Sequence, residues 1–265
     1  MLVAIDVGNT ETLVGLFAPG DGPAGSSTEV LHHWRLSTNA RRTSDELAVQ
    51  LDQLFALVDL DPHDDVSGLA VASVVPRLRT ALRVMADQWL KVETMIVEPG
   101  VKTGMPILYD NPREVGADRI ADAVAAYELY GGPTIVVDFG TATTFEVVSE
   151  RGEYLGGVIL PGIEISLEAL FARAALLPRV ELIEPRSVLA KNTVESIQSG
   201  AIYGFAGQVD GLCRRLEDEL GPCTVVATGG LAGLIGPVSQ AIDHHEPWLT
   251  LQGLRLIFGR NARPQ

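Results

Sequence analysis

Two short acidic turns hold most of the chemistry this sequence can do. Asp138-Phe139-Gly140-Thr141-Ala142-Thr143-Thr144 follows the apolar run Thr134-Ile135-Val136-Val137 and precedes Phe145-Glu146-Val147-Val148, so it reads as a tight polar turn between two buried strands. The first strand delivers Asp138 to its end, Gly140 admits a ligand close to the backbone, and three threonines add hydroxyls and amides on one side. Such a turn suits phosphate and a cation. The chain opens with the same device: Leu2-Val3-Ala4-Ile5 leads into Asp6-Val7-Gly8-Asn9-Thr10 and then Leu13-Val14-Gly15-Leu16-Phe17. Alone, Asp-x-Gly-Asn is equally a hairpin turn. Paired with the second copy, it reads as one of two clamps on a polyphosphate, with Asp6 meeting magnesium through water and the Asn9 and Thr10 amides turned to phosphate. The repetition predicts a duplicated domain.

A third acid lies in Gly116-Ala117-Asp118-Arg119. Asp118 reads either as the cap of the helix that follows or as the base that takes a proton from a hydroxyl attacking phosphorus. Arg119 would hold a substrate carboxylate in a two-pronged contact, and Asp122 falls one helical turn beyond Asp118 on the same face. Thr228-Gly229-Gly230 is either a plain strand-to-helix turn or bare backbone against which an adenosine lies. Cys213 and Cys223 have neither metal-ligand spacing nor catalytic surroundings and read as free thiols. His244 and His245, adjacent on a strand, point to opposite faces, so one metal is not easily shared and both read as surface residues.

The elements that must position these groups follow from apolar periodicity. After the first hairpin, Pro19 to Ser27 is dense in turn formers and predicts an exposed loop. Strands are expected at Val30 to Leu36, Ser67 to Val75 and Glu93 to Val97, with helices starting at Ser44-Asp45-Glu46 and spanning Leu78 to Leu90. Pro99 to Arg119 is irregular, a long loop of the kind that carries function. A helix from Ile120 to Tyr130 closes the first half at Gly131-Gly132-Pro133. The second half repeats the plan with strands at Ile135 to Val137, Thr144 to Val148, Tyr154 to Leu160 and Thr224 to Ala227. Its helices run from Ile163 to Arg173 and from Asn192-Thr193 to Leu220, with a bend or break expected near Gly200 to Gly207. The expectation is an α/β protein with mixed sheets covered by helices, in two domains, 1–132 and 133–265.

At 265 residues there is room for two domains of ordinary size. The net charge of −14, with no basic stretch to offset it, argues against a nucleic-acid or anionic-membrane partner. No apolar segment is long enough to span a bilayer, and the first strand starts too near Met1 to leave room for a signal peptide, so a cytoplasmic protein is expected.

Taken together, the two acidic turns, Ser73-Val74-Val75-Pro76, Tyr109-Asp110-Asn111-Pro112, Gly116-Ala117-Asp118-Arg119, Lys191-Asn192-Thr193 and Thr228-Gly229-Gly230 resemble those of type III pantothenate kinases, members of the acetate and sugar kinase, Hsp70 and actin superfamily. The resemblance covers nearly the whole chain. It implies two ribonuclease-H-like domains around a cleft, a homodimer, and transfer of the ATP γ-phosphate to pantothenate, the first step toward coenzyme A. It further implies Asp118 as the base, with Tyr109, Gly116, Ala117 and Arg119 at pantothenate, joined by Thr193 from the other subunit. Asp6, Val7, Gly8, Asn9 and Thr10 would face ATP and Mg2+, Thr141 would meet phosphate, Gly229 and Gly230 the nucleotide, and Asp138 would ligate a monovalent cation, K+ or NH4+. Two places depart from the family pattern. Asp122 stands where Asn is usual, and Arg173-Ala174-Ala175-Leu176-Leu177-Pro178 lacks the usual Thr and Lys, which raises the alternative of a catalytically impaired homologue acting as a regulator.

Overall fold

The computed structural model describes residues 1–19 and 26–262. It divides into two compact units, residues 1–125 joined by the C-terminal helix, and residues 126–248. The sequence reading put the division at 132/133 and ran the second domain to the end of the chain. Here the division falls inside a helix, and the last helix packs back on the first unit.

The first unit carries β1 (Leu2–Val7), β2 (Glu11–Pro19), β3 (Ser26–Ser37), α1 (Ser44–Ala56), α2 (Pro62–Asp65), β4 (Gly68–Ser73), α3 (Pro76–Met85) and β5 (Glu93–Ile96). Next comes α4 (Ala117–Tyr130), whose last turns belong to the second unit. That unit continues with β6 (Thr134–Phe139), β7 (Ala142–Val148), β8 (Tyr154–Pro161), α5 (Ile163–Arg173), α6 (Thr193–Leu220), β9 (Thr224–Thr228), α7 (Ala232–Ile235) and β10 (His244–His245), and α8 (Leu249–Asn261) ends the chain. The run 20–25, most of the expected first loop, lies outside the described residues.

The duplication is plain in the sheets. One is ordered β3-β2-β1-β4-β5 and the other β8-β7-β6-β9-β10. In each, the first three strands form an antiparallel meander and the last two pair parallel to the central strand and to each other. Both faces of the central strands are covered, which is why they read as continuous apolar runs. In the first unit Val3, Ile5, Val7, Leu69 and Val71 face a core shared with Leu51, Leu54 and Phe55 of α1 and Leu78, Leu82 and Met85 of α3. In the second, Ile135, Val137, Phe139, Phe145 and Val225 face Ile163 and Leu167 of α5 and Ile202, Phe205 and Val209 of α6. Burial of each such side chain contributes about 1.5–3 kcal/mol.

Several element ends differ from expectation for local reasons. Thr43, not Ser44, caps α1: the Glu46 N–H donates to Thr43 Oγ1 at 3.3 Å while the Thr43 N–H donates to Glu46 Oε2 at 2.8 Å. The expected helix to Leu90 is α-helical only to Met85 and closes with a π turn over Ala86–Leu90, stopped by Lys91 at φ 55°. α6 runs unbroken past its glycines, because Ile197, Ala201, Ile202, Phe205, Ala206 and Val209 keep one face packed. Side chains added at Gly200, Gly204 and Gly207 would meet only open space.

The opposite face of the first sheet is covered by α8, with Leu251 against Gly15 and Phe258 against Gly68. α8 also crosses the start of α4 with no room between the two backbones: a methyl on Gly253 would lie 2.8 Å from Ala121 Cα and closer still to the Ala121 carbonyl. Gly253→Ala should therefore cost about 3 kcal/mol, the upper end for an overpacked contact, seen as a lower urea midpoint at unchanged slope.

Candidate functional site

In the first unit β1 carries Asp6 to its carboxyl end, and the turn closes with the Gly8 N–H donating to Glu11 O at 2.9 Å. The Thr38 N–H donates to Thr10 O at 2.8 Å and the Thr12 and Thr38 hydroxyls meet at 2.8 Å, so the end of β3 braces the turn. Asn9 and Thr10 are exposed and Asp6 half-buried, whereas the Val7 side chain is in the core, so any contact from Val7 to a ligand would come from its backbone.

Asp118 lies in the first turn of α4, three residues earlier in a helix than the sequence implied, and so neither on a loop nor at the capping position. Gly116 makes room for it, since a methyl there would collide with Asp118 Oδ1. That oxygen accepts the Arg119 N–H at 2.8 Å. Burial pushes the carboxyl above its ordinary value, and the Arg119 backbone bond and charge only partly oppose it. The residue as a whole is half-buried and not sealed in the core. A carboxylate of raised basicity is suited to proton abstraction. Tyr109 and Arg119 are half-buried in the same unit, and Asp122, one turn along α4, is 1% exposed.

The second unit repeats the turn with a different surrounding. In register, Asp138 has Thr144 on one side and Thr228 on the other, so three oxygen-bearing side chains stand abreast on one face of the sheet. The Thr144 hydroxyl is buried with no hydrogen-bond partner among the described residues. The partners of Asp6 are Leu13 and Ala72, which offer no side-chain oxygen. Oxygen donors crowded beside a carboxylate fit a cation stripped of some of its water. A carboxylate between apolar neighbours fits a hydrated Mg2+ that reaches it through water. The chemistry such cations supply is charge neutralisation on phosphate oxygens. Among the described residues no group of three or more His, Cys, Asp or Glu side chains could itself enclose a metal.

Gly229 sits at φ 91° directly against Asp138, where a methyl would lie 2.6 Å from Phe139 N and nearer still to the carboxylate. The sequence reading gave Gly229 and Gly230 to the nucleotide. Gly230 is exposed and free to serve it, while the most evident task of Gly229 is packing on the acidic turn. Thr141 is exposed beside Gly140. Thr193 starts α6 and is exposed, behind a cap in which Asn192 Oδ1 accepts the Glu195 N–H at 2.9 Å. The sequence counts Thr144 among three turn hydroxyls but cannot align it or Thr228 with Asp138, since strand register does that, and it carries no sign of Gly162 as a positioning group. Cys213 is buried, which pushes its thiol up to about 12, so it is no nucleophile; Cys223 is also free. His244 and His245 are exposed as expected, with Tyr130 stacked on His244 at 4.3 Å.

Comparison with solved structures defines the fold class. A Campylobacter jejuni protein described as a Baf family transcriptional activator superposes with a TM-score of 0.58 at 18% identity, covering 98% of each chain. The ethanolamine utilization protein EutJ of Carboxydothermus hydrogenoformans does so with 0.51 at 15% identity, covering 96% of this chain and 89% of its own. With the duplicated five-stranded sheets, these show a shared two-domain fold of mixed sheets flanked by helices. The family is narrower. A type III pantothenate kinase model matches residues 2–215, and the type III pantothenate kinase of Streptomyces griseus is 57% identical over 270 residues, 99% of either chain. The chain belongs to the type III pantothenate kinase family, and it is a kinase.

Because burial raises the folded Asp118 carboxyl above its unfolded value, its ionisation costs stability that is fully present below the unfolded value and lost as pH climbs through the folded one. Asp118→Asn should accordingly raise the melting temperature at pH 7 while lowering kcat by about 10²–10⁴-fold. In the parent enzyme the acid limb of kcat against pH should lie above the ordinary carboxylate range. Calorimetry and a pH–rate profile check both.

Proposed function

We propose that this chain transfers the γ-phosphate of ATP to the primary hydroxyl of pantothenate, giving 4′-phosphopantothenate for coenzyme A synthesis in the cytoplasm. The observation that carries the reading is the intact Gly116-Ala117-Asp118-Arg119 sequence, with its desolvated carboxyl, in a chain 57% identical to a type III pantothenate kinase. Asp118 takes the proton from the attacking hydroxyl. Arg119, with Tyr109 and the Gly116–Ala117 backbone, holds pantothenate, its guanidinium matching the substrate carboxylate. The Asp6 to Thr10 turn binds ATP phosphates and Mg2+, and Thr141 meets phosphate. Gly230, with Gly229, borders the nucleotide.

Asp138 takes K+ or NH4+, supported by the Thr144 and Thr228 hydroxyls that flank it. Phosphoryl transfer needs alignment and neutralisation more than covalent help, and these groups supply both. Of the departures, Asp122 is buried in α4 one turn beyond Asp118, and Leu176 lies in the exposed segment after α5. Nothing observed favours the impaired homologue.

The enzyme acts as a homodimer, with Thr193 reaching the pantothenate of a second copy. Exposed apolar side chains in the second unit support this: Ile159 on the edge strand β8, Ile165 and Leu170 on α5, Val188 and Leu189 before α6, and Val194 beside Thr193. The reading includes no nucleic-acid or membrane partner, in keeping with the charge of −14.

Purified protein given pantothenate, ATP, Mg2+ and K+ should form phosphopantothenate; folded protein that forms none refutes the proposal. Leu170→Glu/Val194→Glu should run as a monomer by light scattering and lose most turnover, whereas a fully active monomer would remove Thr193 from its role.

A further inference from the structure

We infer that Gly162 is a positioning residue of the kinase, holding the Asp138 turn in its cation- and phosphate-binding shape from the side opposite Gly229. The inference rests on the proposed role of that turn and adds a residue no motif assigns to it.

The turn between β6 and β7 is pressed from two directions. Gly229, at the β9–α7 junction, lies against Asp138 and Phe139, and Gly162, between β8 and α5, lies against the next two residues. A methyl on Gly162 would sit 2.6 Å from Gly140 O, 2.8 Å from Thr141 C, and nearer still to Thr141 O. These are backbone atoms, so no side chain can swing away to relieve the clash. The contact is also bonded: the Gly162 N–H donates to Thr141 O at 3.1 Å, and the Gly140 N–H donates to Ala142 O at 3.1 Å within the turn itself. The φ of Gly162 is −65°, a value any residue adopts, so only closeness to the turn calls for glycine here.

Gly162 is in turn held by α5. It is the helix's N-cap, and its carbonyl accepts both the Ser166 N–H at 3.1 Å and the Ser166 hydroxyl at 2.8 Å. Below, Ile163 and Leu167 anchor α5 in the core. The chain of support therefore runs from core to α5, from α5 to Gly162, and from Gly162 to the carbonyls of Gly140 and Thr141. In a turn so small, a displaced carbonyl moves the neighbouring Asp138 carboxylate and the Thr141 amide together. The first turn has the matching bond, the Thr38 N–H on Thr10 O at 2.8 Å, but a threonine stands there in place of Gly162.

Gly162→Ala separates this role from a merely structural one. The expected result is a rise of about tenfold to a hundredfold in the K+ concentration needed for half activation, a smaller kcat at saturating K+, and an unchanged KM for pantothenate. Gly132→Ala serves as the comparison. Its methyl would crowd the Ser149 carbonyl and the Glu150 Cα at 3.0 Å, away from the Asp138 turn. It should lower the melting temperature as much and leave the K+ requirement alone. If Gly162→Ala folds and keeps the parent K+ requirement, or if Gly132→Ala shifts it equally, the inference is overturned. If Gly162→Ala does not fold, the milder Ser166→Ala, which removes one of the two bonds to the Gly162 carbonyl, must raise the K+ requirement at least severalfold, and an unchanged value overturns the inference. A parent enzyme indifferent to K+ and NH4+ would instead refute the cation role of Asp138, a separate failure.

Discussion

An acid at the end of a buried strand cannot drift, and this protein depends on that immobility twice. β1 and β6 are central strands hydrogen-bonded on both sides, so Asp6 and Asp138 inherit positions fixed by whole sheets. A carboxylate on a free loop would have to be ordered by its ligand, at a cost of roughly 1–2 kcal/mol for each backbone residue fixed. Here the ordering is done in folding. Each acid stands near the carboxyl end of its strand, the end at which ligands usually bind in open α/β sheets.

Identical turns need not do identical work, and the neighbours decide. The same Asp-x-Gly sequence has Leu13 and Ala72 beside it in one unit and Thr144 and Thr228 in the other. Duplication supplied the geometry, and four flanking residues, one on each neighbouring strand, then divided the labour in the proposed mechanism between a hydrated divalent ion and a less hydrated monovalent one. The bracing diverged in part: a hydrogen bond from the residue after the third strand steadies both turns, and in the second, backbone pressed on backbone at Gly162 and Gly229 is added to it. A turn gripped by glycines tolerates less change than one held by a single bond, which makes the second turn the more exacting of the two.

Much of this was legible in the residues. Strands buried on both faces announce themselves as apolar runs, and a turn repeated in two places announces duplication, so the sheets and both acids could be found without coordinates. What local pattern cannot carry is register and return. Nothing in Thr228 or Thr144 says that it stands beside Asp138, because that alignment is settled by strands distant in sequence. The homing of α8 onto the first unit was missed for the same reason: an amphipathic helix shows which face it buries but not against what, and here Gly253 meets Ala121 across more than a hundred residues of chain. The glycines of α6 misled in the opposite sense, since propensity suggests a break where continuous burial on the far face prevents one.

Asp118, the proposed base, illustrates why such a group would be placed inside a helix start and not on a flexible loop. The first turn of a helix favours a negative charge, through its unpaired amides and its dipole, and burial disfavours one. At Asp118 burial is the larger effect, so the carboxyl is held at a basicity that water alone would not give it, with Gly116 leaving the space and the Arg119 amide fixing one oxygen. The bonded oxygen is oriented. Lower basicity would come from fuller hydrogen bonding, and greater stability from neutralising the charge; either change would remove the property that lets the group accept a proton. In the proposed mechanism, the destabilisation at this position is thus not a defect the fold failed to mend but the same quantity, seen from the folding side, as the driving force for proton transfer.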